Sequence, residues 1–251
     1  MSLENQGYNK DLAYIHDVGY DFHTREAAPG LLEMLRRRGV TEGLVVELGC
    51  GSGLLIRELI EAGYQAIGID QSEAMIAMAQ ERNPRATFVK QSFMAAELTP
   101  CDAVISIGEC LAYMFDPNNT PASLQTLFVR VHQALRPGGV FIFDMPEPGR
   151  GAASTMGLRG RRGEDWICVY ETTEDPETKI LTREITTFRK DGEHYRRDDE
   201  RHRLRLYHGA ELKWMLQPVG FDVELVRNFG EMELVPGLVG VVAQKKQFIE
   251  Q

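Results

Sequence analysis

The segment Val45-Val46-Glu47-Leu48-Gly49-Cys50-Gly51-Ser52-Gly53 constrains the fold more than any other stretch of the chain. A short apolar run carries an acidic residue near its end and then breaks into a turn with glycine at every second position. Lacking a Cβ, glycine lets the backbone turn tightly and come close to a ligand. Beyond it, Leu54, Leu55, Leu59 and Ile60 fit one helical face that stops at Gly63. A strand that turns through glycines into a helix aims the helix's free N–H groups at whatever lies over the turn. Such a unit belongs in a parallel sheet covered by helices.

The rest of the chain extends this pattern. Leu44–Leu48, Ala66–Ile69, Ala86–Val89, Ala103–Ile107 and Val140–Phe143 read as strands. Between them, Ser72 can cap a helix carrying Met75, Ile76 and Ala79, and Thr120-Pro121 opens one carrying Leu124, Leu127, Phe128, Val131 and Leu135. Arg136-Pro137-Gly138-Gly139 then breaks that helix. Ahead of the first strand, Pro29–Arg38 reads as a helix ended by Gly39, preceded by an aromatic-rich lead with Tyr14, His16, Tyr20, Phe22 and His23. After the fifth strand, Trp166–Glu174, Ile180–Lys190 and His194–Leu206 form an expected antiparallel meander, with turns at Asp175-Pro176 and Asp191-Gly192. A helix over Ala210–Gln217, closed by Pro218, leads to strands near Asp222–Asn228 and Val239–Ala243 that can rejoin the main sheet. The division expected is one domain over 1–251: a core of 24–150 and 207–246, a lead or lid segment over 1–23, and an antiparallel insertion over 164–206. Met1–Lys10 carries no structural weight in this reading.

Asp70 ends the second strand in Gly68-Ile69-Asp70-Gln71-Ser72, beside the first glycine turn at the carboxyl edge of the sheet. A carboxylate there can accept both hydroxyls of a ribose. The dinucleotide fingerprint wants G-x-G-x-x-G, and Leu54 stands where its last glycine would fall. That departure favours S-adenosylmethionine over a nicotinamide dinucleotide. Ser92 and Phe93, at the third strand's end, are expected near the adenine, and Ile107 is expected beneath the adenosyl group through its backbone.

On these residues the sequence resembles the class I S-adenosylmethionine-dependent methyltransferases, in the bacterial small-molecule branch that includes sugar N-methyltransferases. The resemblance runs from about Tyr14 to Ala243 and is strongest in VVELGCGSG, GIDQS, CDAVISIGE and LRPGGVFIFD. It implies an α/β fold with a Rossmann-like, seven-stranded, mostly parallel sheet and an antiparallel β insertion after the fifth strand. It places Glu47 beside the methionine amino group, Gly49 and Gly51 along the methionine part, and Asp70 on the ribose. Tyr14, Cys50, Gln71 and Met75 complete the cofactor contacts expected.

Methyl transfer from a sulfonium is a direct displacement, in which alignment of the reacting atoms does most of the work. A neutral amine acceptor needs positioning, whereas a hydroxyl must lose its proton to a group within hydrogen-bond reach. The candidate bases are His16, Glu109 and His208. Tyr20, Tyr113 and Met145 are the candidate acceptor contacts, with Asp144, Pro146 and Glu147 behind them. Three other readings remain at this point: a dinucleotide-dependent oxidoreductase, a noncatalytic S-adenosylmethionine-binding protein, and a nucleic-acid methyltransferase. The last is disfavoured because Ile107-Gly108-Glu109-Cys110 stands where an Asn-Pro-Pro-aromatic or Asp-Pro-Pro-aromatic tetrad would be expected.

A formal net charge of -9 also argues against nonspecific attraction to phosphate backbones. The concentrated basic stretch, Arg159, Arg161 and Arg162, reads as a solvated loop. Four cysteines form no C-x-x-C pair and have no neighbouring histidines at zinc-ligand spacing, so neither a disulfide framework nor a metal site is expected. Apolar runs are shorter than a bilayer span, and no secretory leader is visible, which points to a cytoplasmic protein. The expected partner is a small molecule, not a nucleic acid or a membrane. The insertion would roof the acceptor pocket or pair two subunits in a homodimer.

Overall fold

The computed structural model describes residues 7–151 and 157–246. Two helices, α1 (Lys10–Gly19) and α2 (Phe22–Arg37), precede five strands that pair in parallel: β1 (Leu44–Leu48), β2 (Gln65–Asp70), β3 (Thr87–Lys90), β4 (Cys101–Ser106) and β5 (Leu135–Pro146). The crossovers are α3 (Leu54–Glu61), α4 (Glu73–Arg82) and α5 (Pro121–Ala134), with a 3₁₀ turn at Cys110–Ala112 after β4. Ser72 accepts from the Met75 N–H and Thr120 from the Ser123 N–H, so the expected caps do start α4 and α5.

After β5 comes a four-stranded antiparallel sheet, β6 (Arg159–Arg162), β7 (Trp166–Asp175), β8 (Ile180–Asp191) and β9 (His194–Arg205), paired in that order. Then follow α6 (Gly209–Leu216), β10 (Phe221–Val226), a small hairpin of β11 (Asn228–Phe229) and β12 (Met232–Glu233), and β13 (Leu238–Lys245). β13 pairs antiparallel with β5, and β10 antiparallel with β13. The main sheet therefore has seven strands in the order β10-β13-β5-β4-β1-β2-β3, the Rossmann-like arrangement expected.

Both faces of this sheet are covered, which is why its central strands are apolar almost throughout rather than alternating. Phe128, Leu124 and Leu127 of α5 pack on Phe141 and Phe143 on one side. Leu31 and Leu35 of α2, with Leu55, Ile56 and Leu59 of α3, pack on Val45, Ile105 and Ile142 on the other. The chain leaves β1 toward β2 and β3, then returns to β4 and β5 on the opposite flank. The strand order thus reverses between β1 and β4, the place where open sheets of this kind leave a crevice at their carboxyl edge.

Several elements depart from the sequence reading. The aromatic lead is helical as α1, packed through Leu12 and Ile15 on Trp166, Cys168 and Ile185 of the insertion. α2 begins at Phe22 rather than Pro29. Pro29 sits inside the helix, where the loss of its backbone donor is offset by a buried face of Ala27, Ala28, Gly30, Leu31 and Leu35. The helix does break ahead of Arg136–Gly139, but this segment already belongs to β5, which starts at Leu135 rather than Val140, and the pairing with β4 shifts register between Cys101 and Ala103. Arg159–Arg162 is a strand rather than a loop, although Arg161 and Arg162 remain exposed to solvent as expected. Arg161 donates to the Gly19 carbonyl at 2.6 Å and lies 4.8 Å over the Phe22 ring. Strand pairing and cation–π contact order this basic run at the surface.

Gly30 shows how closely α2 carries the β11–β12 hairpin: a methyl at this position would sit 2.2 Å from the Phe229 carbonyl. Ala is the better helix former by about 1 kcal/mol, whereas forcing a methyl into a packed contact costs about 1–3 kcal/mol. Gly30→Ala is therefore expected to be destabilising despite its propensity gain. Urea denaturation gives the sign, and a variant more stable than the parent would show that the hairpin yields freely.

Candidate active site

The carboxyl edge of the main sheet, α1 and the four-stranded sheet enclose one cavity of about 350 Å³. Gly49, Gly51 and Gly53 all take positive φ (74°, 51° and 75°), which lets the chain double back from β1 into α3. At Gly49 the close approach matters as well, since a Cβ would lie 2.6 Å from the Cys110 sulfur. Asp70 fastens this turn: its Oδ2 accepts the Gly51 N–H at 2.9 Å and its Oδ1 the Ser72 N–H at 2.8 Å. Each oxygen keeps a second lone pair.

Glu47, on β1, is 4% exposed, and among the described residues its Oε2 has no hydrogen-bond partner although it is fully enclosed. Burial first, and then the Asp70 charge, push its pKa well above the usual carboxylate range. Asp70 is also raised by burial, against the pull of its backbone donors. Two carboxyl groups thus share a low-dielectric wall without a cation between them, an arrangement that favours a positively charged or donor-rich ligand.

The opposite wall is basic. Burial would raise the Glu109 pKa, but Arg183 and Arg150 overcome it and hold the carboxyl below its usual range. Arg183 donates to Oε2 at 2.7 Å and Arg150 to Oε1 at 2.9 Å. Glu109 also adopts a left-handed conformation, φ 62°, which a non-glycine residue holds only when its surroundings enforce it. Asp144 accepts the Gly108 and Glu109 N–H groups at 2.8 and 2.5 Å, and burial still lifts its pKa to about 7.

Most residues singled out from the sequence face this cavity. Glu47, Gly49, Cys50, Gly51, Asp70, Gln71 and Met75 line one part, Ser92, Phe93 and Ile107 lie further along, and His16, Tyr20, Glu109 and Tyr113 lie opposite. Tyr14, Met145, Pro146, Glu147 and His208 do not reach it. Tyr14 turns away to lie under the Arg189 guanidinium, 3.5 Å from its ring centre, because α1 puts it on another face than His16. Met145 is sealed in the core beside Phe143, on the side of β5 away from the site. His208 is exposed and caps α6, its N–H donating to Glu211 at 2.8 Å. Glu109 makes a poor base, with both oxygens taken by guanidinium groups. Among the described residues His16 has no hydrogen-bonded acid behind it, and burial, with His23 nearby, lowers its pKa to about 4.

The cavity also holds residues the sequence reading passed over. Tyr8 lies in the stretch given no weight, yet its ring meets His16, Tyr113, Phe115 and His202. His202 is buried and bonded to Glu200 at 2.9 Å. Their signal was present in β9: Glu200, His202 and Leu204 fall on one face of a strand whose other face carries Arg201, Arg203 and Arg205.

A family model described as a methyltransferase domain matches residues 45–139, the span from the glycine turn to β5. YqeM of Bacillus subtilis (strain 168), which is named as a methyltransferase, is 26% identical over 196 residues, 74% of this chain and 76% of its own. The chain thus carries a methyltransferase domain over 45–139. Two solved structures share its fold. An S-adenosylmethionine-dependent methyltransferase from Clostridium acetobutylicum ATCC 824 superposes with a TM-score of 0.78 at 19% identity, covering 93% of this chain and 97% of that one. The sugar N-methyltransferase KedS8 from Streptoalloteichus sp ATCC 53650 gives 0.74 at 19% identity, covering 98% and 99%. The Clostridium acetobutylicum neighbour is named as dependent on S-adenosylmethionine. The site suits that cofactor: an orphaned carboxylate oxygen on Glu47 matches an ammonium, and the spare lone pairs of Asp70 match a diol. Among the described residues no helix is long and apolar enough to cross a membrane.

The raised pKa of Glu47 has a consequence for stability. An unfolded glutamate ionises above about 4.5, while the buried one keeps its proton to higher pH, so the folded state holds more protons in between. That stabilisation is complete below about 4.5 and drains away as pH rises toward the folded pKa. Glu47→Gln removes this dependence. In urea titrations of the ligand-free protein from about pH 5 to 8, the variant should gain on the parent as pH rises, and parallel curves would show that Glu47 is not the strained carboxyl.

Proposed function

We propose that this methyltransferase alkylates a nitrogen or oxygen of a small-molecule acceptor held between the sheet's carboxyl edge and the β6–β9 sheet. The observation that carries the reading is the division of one cavity into a carboxylate wall, Glu47 and Asp70, and an aromatic and guanidinium wall, Tyr8, Tyr113, Arg150 and Arg183. On the first wall, Glu47 pairs with the methionine amino group, Gly49 and Gly51 let the methionine part lie close, and Asp70 accepts the ribose hydroxyls. Cys50, Gln71 and Met75 flank that path. Ser92, Phe93 and Ile107 follow it toward the base. When bound, S-adenosylmethionine supplies a methyl already activated on a sulfonium.

The chain's own residues then have three tasks. Tyr8, His16 and Tyr20, carried at the front of the chain, close over the crevice and exclude water. Tyr113 and the Glu109-bound arginines orient the acceptor, since each guanidinium has donors beyond those used on Glu109. Preserving that orientation is worth more than any single contact, because proximity alone can account for about 7–11 kcal/mol of barrier. KedS8, with the same fold, is named as a sugar N-methyltransferase, which supports a polar acceptor of that size. The insertion serves as a roof, since Arg183 and His202 from its strands line the cavity.

Calorimetry with S-adenosylhomocysteine tests the cofactor half of the reading. Asp70→Ala should weaken binding by about 1.5–3 kcal/mol, the range for hydrogen bonds to a charged group, with Asp70→Asn, which can still brace the Gly51 turn, intermediate. Unchanged affinity in a folded Asp70→Ala protein would remove Asp70 from the site. Release of S-adenosylhomocysteine across a panel of amino sugars, amino acids and hydroxy acids tests the acceptor half.

A further inference from the structure

The methyl-transfer reading leaves open which group removes the acceptor's proton, and the candidates drawn from the sequence all fail on geometry. Glu109 is spent on two arginines, His208 lies outside the cavity, and among the described residues His16 has no hydrogen-bonded acid behind it. His202 meets the requirements. Its Nε2 is 2.9 Å from Glu200 Oε2, and the other carboxylate oxygen accepts the Asn9 N–H at 2.9 Å. A carboxylate held this way only accepts, so Nε2 carries the ring proton and Nδ1 is left with the lone pair. Nδ1 has no hydrogen-bond partner among the described residues and is not one of the fully enclosed polar atoms, while the ring lines the cavity. The lone pair therefore opens on the space between Tyr8, Tyr113 and Phe115, whose ring centres lie 4.8–5.6 Å from that of His202.

We propose that His202 is the general base of the reaction and Glu200 its positioning residue, an assignment that rests on the methyl-transfer reading. As the acceptor's nitrogen or oxygen bonds to the methyl carbon, the carbon–sulfur bond breaks with its electron pair passing to sulfur. The acceptor's proton goes to Nδ1. The imidazolium formed is then paired with the Glu200 carboxylate until the proton leaves to solvent. The charged and titratable groups facing the ring are Glu200 from β9, Arg183 from β8, Tyr8, Tyr113, and His16 from α1. Burial lowers the imidazole's pKa, Glu200 works against that, and Arg183 adds to it, so the base is free at neutral pH.

The experiment uses the full chain as wild type, His202→Gln, His202→Ala and Glu200→Gln. Each is first titrated with S-adenosylhomocysteine by calorimetry, then assayed with S-adenosylmethionine and the acceptor panel. His202→Gln should lose about 10²–10⁴-fold in kcat, with KM and S-adenosylhomocysteine affinity unchanged. Added imidazole should restore part of the loss in His202→Ala. The acid limb of the wild-type kcat profile should vanish in His202→Gln and move to lower pH in Glu200→Gln, which loses the anion that favours the imidazolium. Full kcat in a folded His202→Gln protein overturns the assignment. Independently, ¹⁵N NMR of histidine-labelled protein bound to S-adenosylhomocysteine should show the Nε2–H tautomer of His202 at neutral pH. An Nδ1–H tautomer overturns the proposal, and this result decides alone if no acceptor in the panel turns over. Absence of S-adenosylhomocysteine binding by the wild type would instead strike the cofactor site itself.

Discussion

One carboxylate organises the site. Asp70 ends β2, and its two oxygens take the Gly51 and Ser72 N–H groups, so it binds the turn before α3 to the start of α4. Ser72 passes the connection on: its hydroxyl caps α4 and donates to the Tyr8 carbonyl at 2.9 Å. Glycine turn, second crossover and the front of the lid are thereby indexed to a single side chain. Strands only fix where the carboxyl edge lies. The Asp70 bonds fix how the backbone amides at that edge are aimed, and they do so before any ligand arrives, so little ordering remains to be done on binding.

The same cavity separates charge by element. The carboxyl groups that burial raises, Glu47, Asp70 and Asp144, stand on β1, β2 and β5. The guanidinium groups, Arg150 and Arg183, come from beyond β5 and bracket Glu109. At an effective dielectric near 20, unit charges 4 Å apart interact by about 4 kcal/mol. Glu47 beside Asp70 is then a standing penalty, and a cation between them relieves both, whereas Glu109 is already compensated. The two carboxylate environments differ for that reason: one is built to be completed by a ligand, the other is complete and serves as scaffold. The left-handed backbone at Glu109 belongs to the scaffold, since two ion pairs and the Asp144 bond to its N–H leave it no other conformation.

What could be read from the sequence follows from how local each signal is. Strand ends, the spacing of Gly49, Gly51 and Gly53, and Asp70 at the close of β2 are all defined within a few residues, and they mark one edge of the sheet. Met145 fails for an equally local reason: it stands at that edge but on the buried face of β5, and a strand closed on both sides gives no alternation to tell the faces apart. Tyr14 fails because it stands two positions before His16 on α1, which puts its ring on another face of the helix, under Arg189 and away from the cavity. Tyr8, Arg183, Glu200 and His202 depend on long-range packing. Alternation in β8 and β9 sorts their side chains into two faces, but only the docking of α1 onto that sheet says which face meets the crevice. Basic residues mislead in the same way, since Arg161 is held by partners distant in sequence: the Phe22 ring of α2, the Tyr20 ring and the Gly19 carbonyl.

α1 joins the insertion to the core through contacts of two kinds. Toward the insertion, Leu12 and Ile15 share an apolar cluster with Trp166, Cys168 and Ile185, and Asp11 is paired with Arg196 through two bonds of 2.7 and 2.8 Å. Toward the core the links are polar. Asp17 accepts from Ser52 at 2.5 Å and from Arg82 at 2.9 Å, and Ser72 donates to Tyr8. Hydrogen bonds to a charged group contribute about 1.5–3 kcal/mol each, the same order as burying one apolar side chain, so α1 is fastened on both sides. The Asn9 N–H bond to Glu200 and the Tyr8 ring against His202 then tie the start of the chain to the proton-accepting wall.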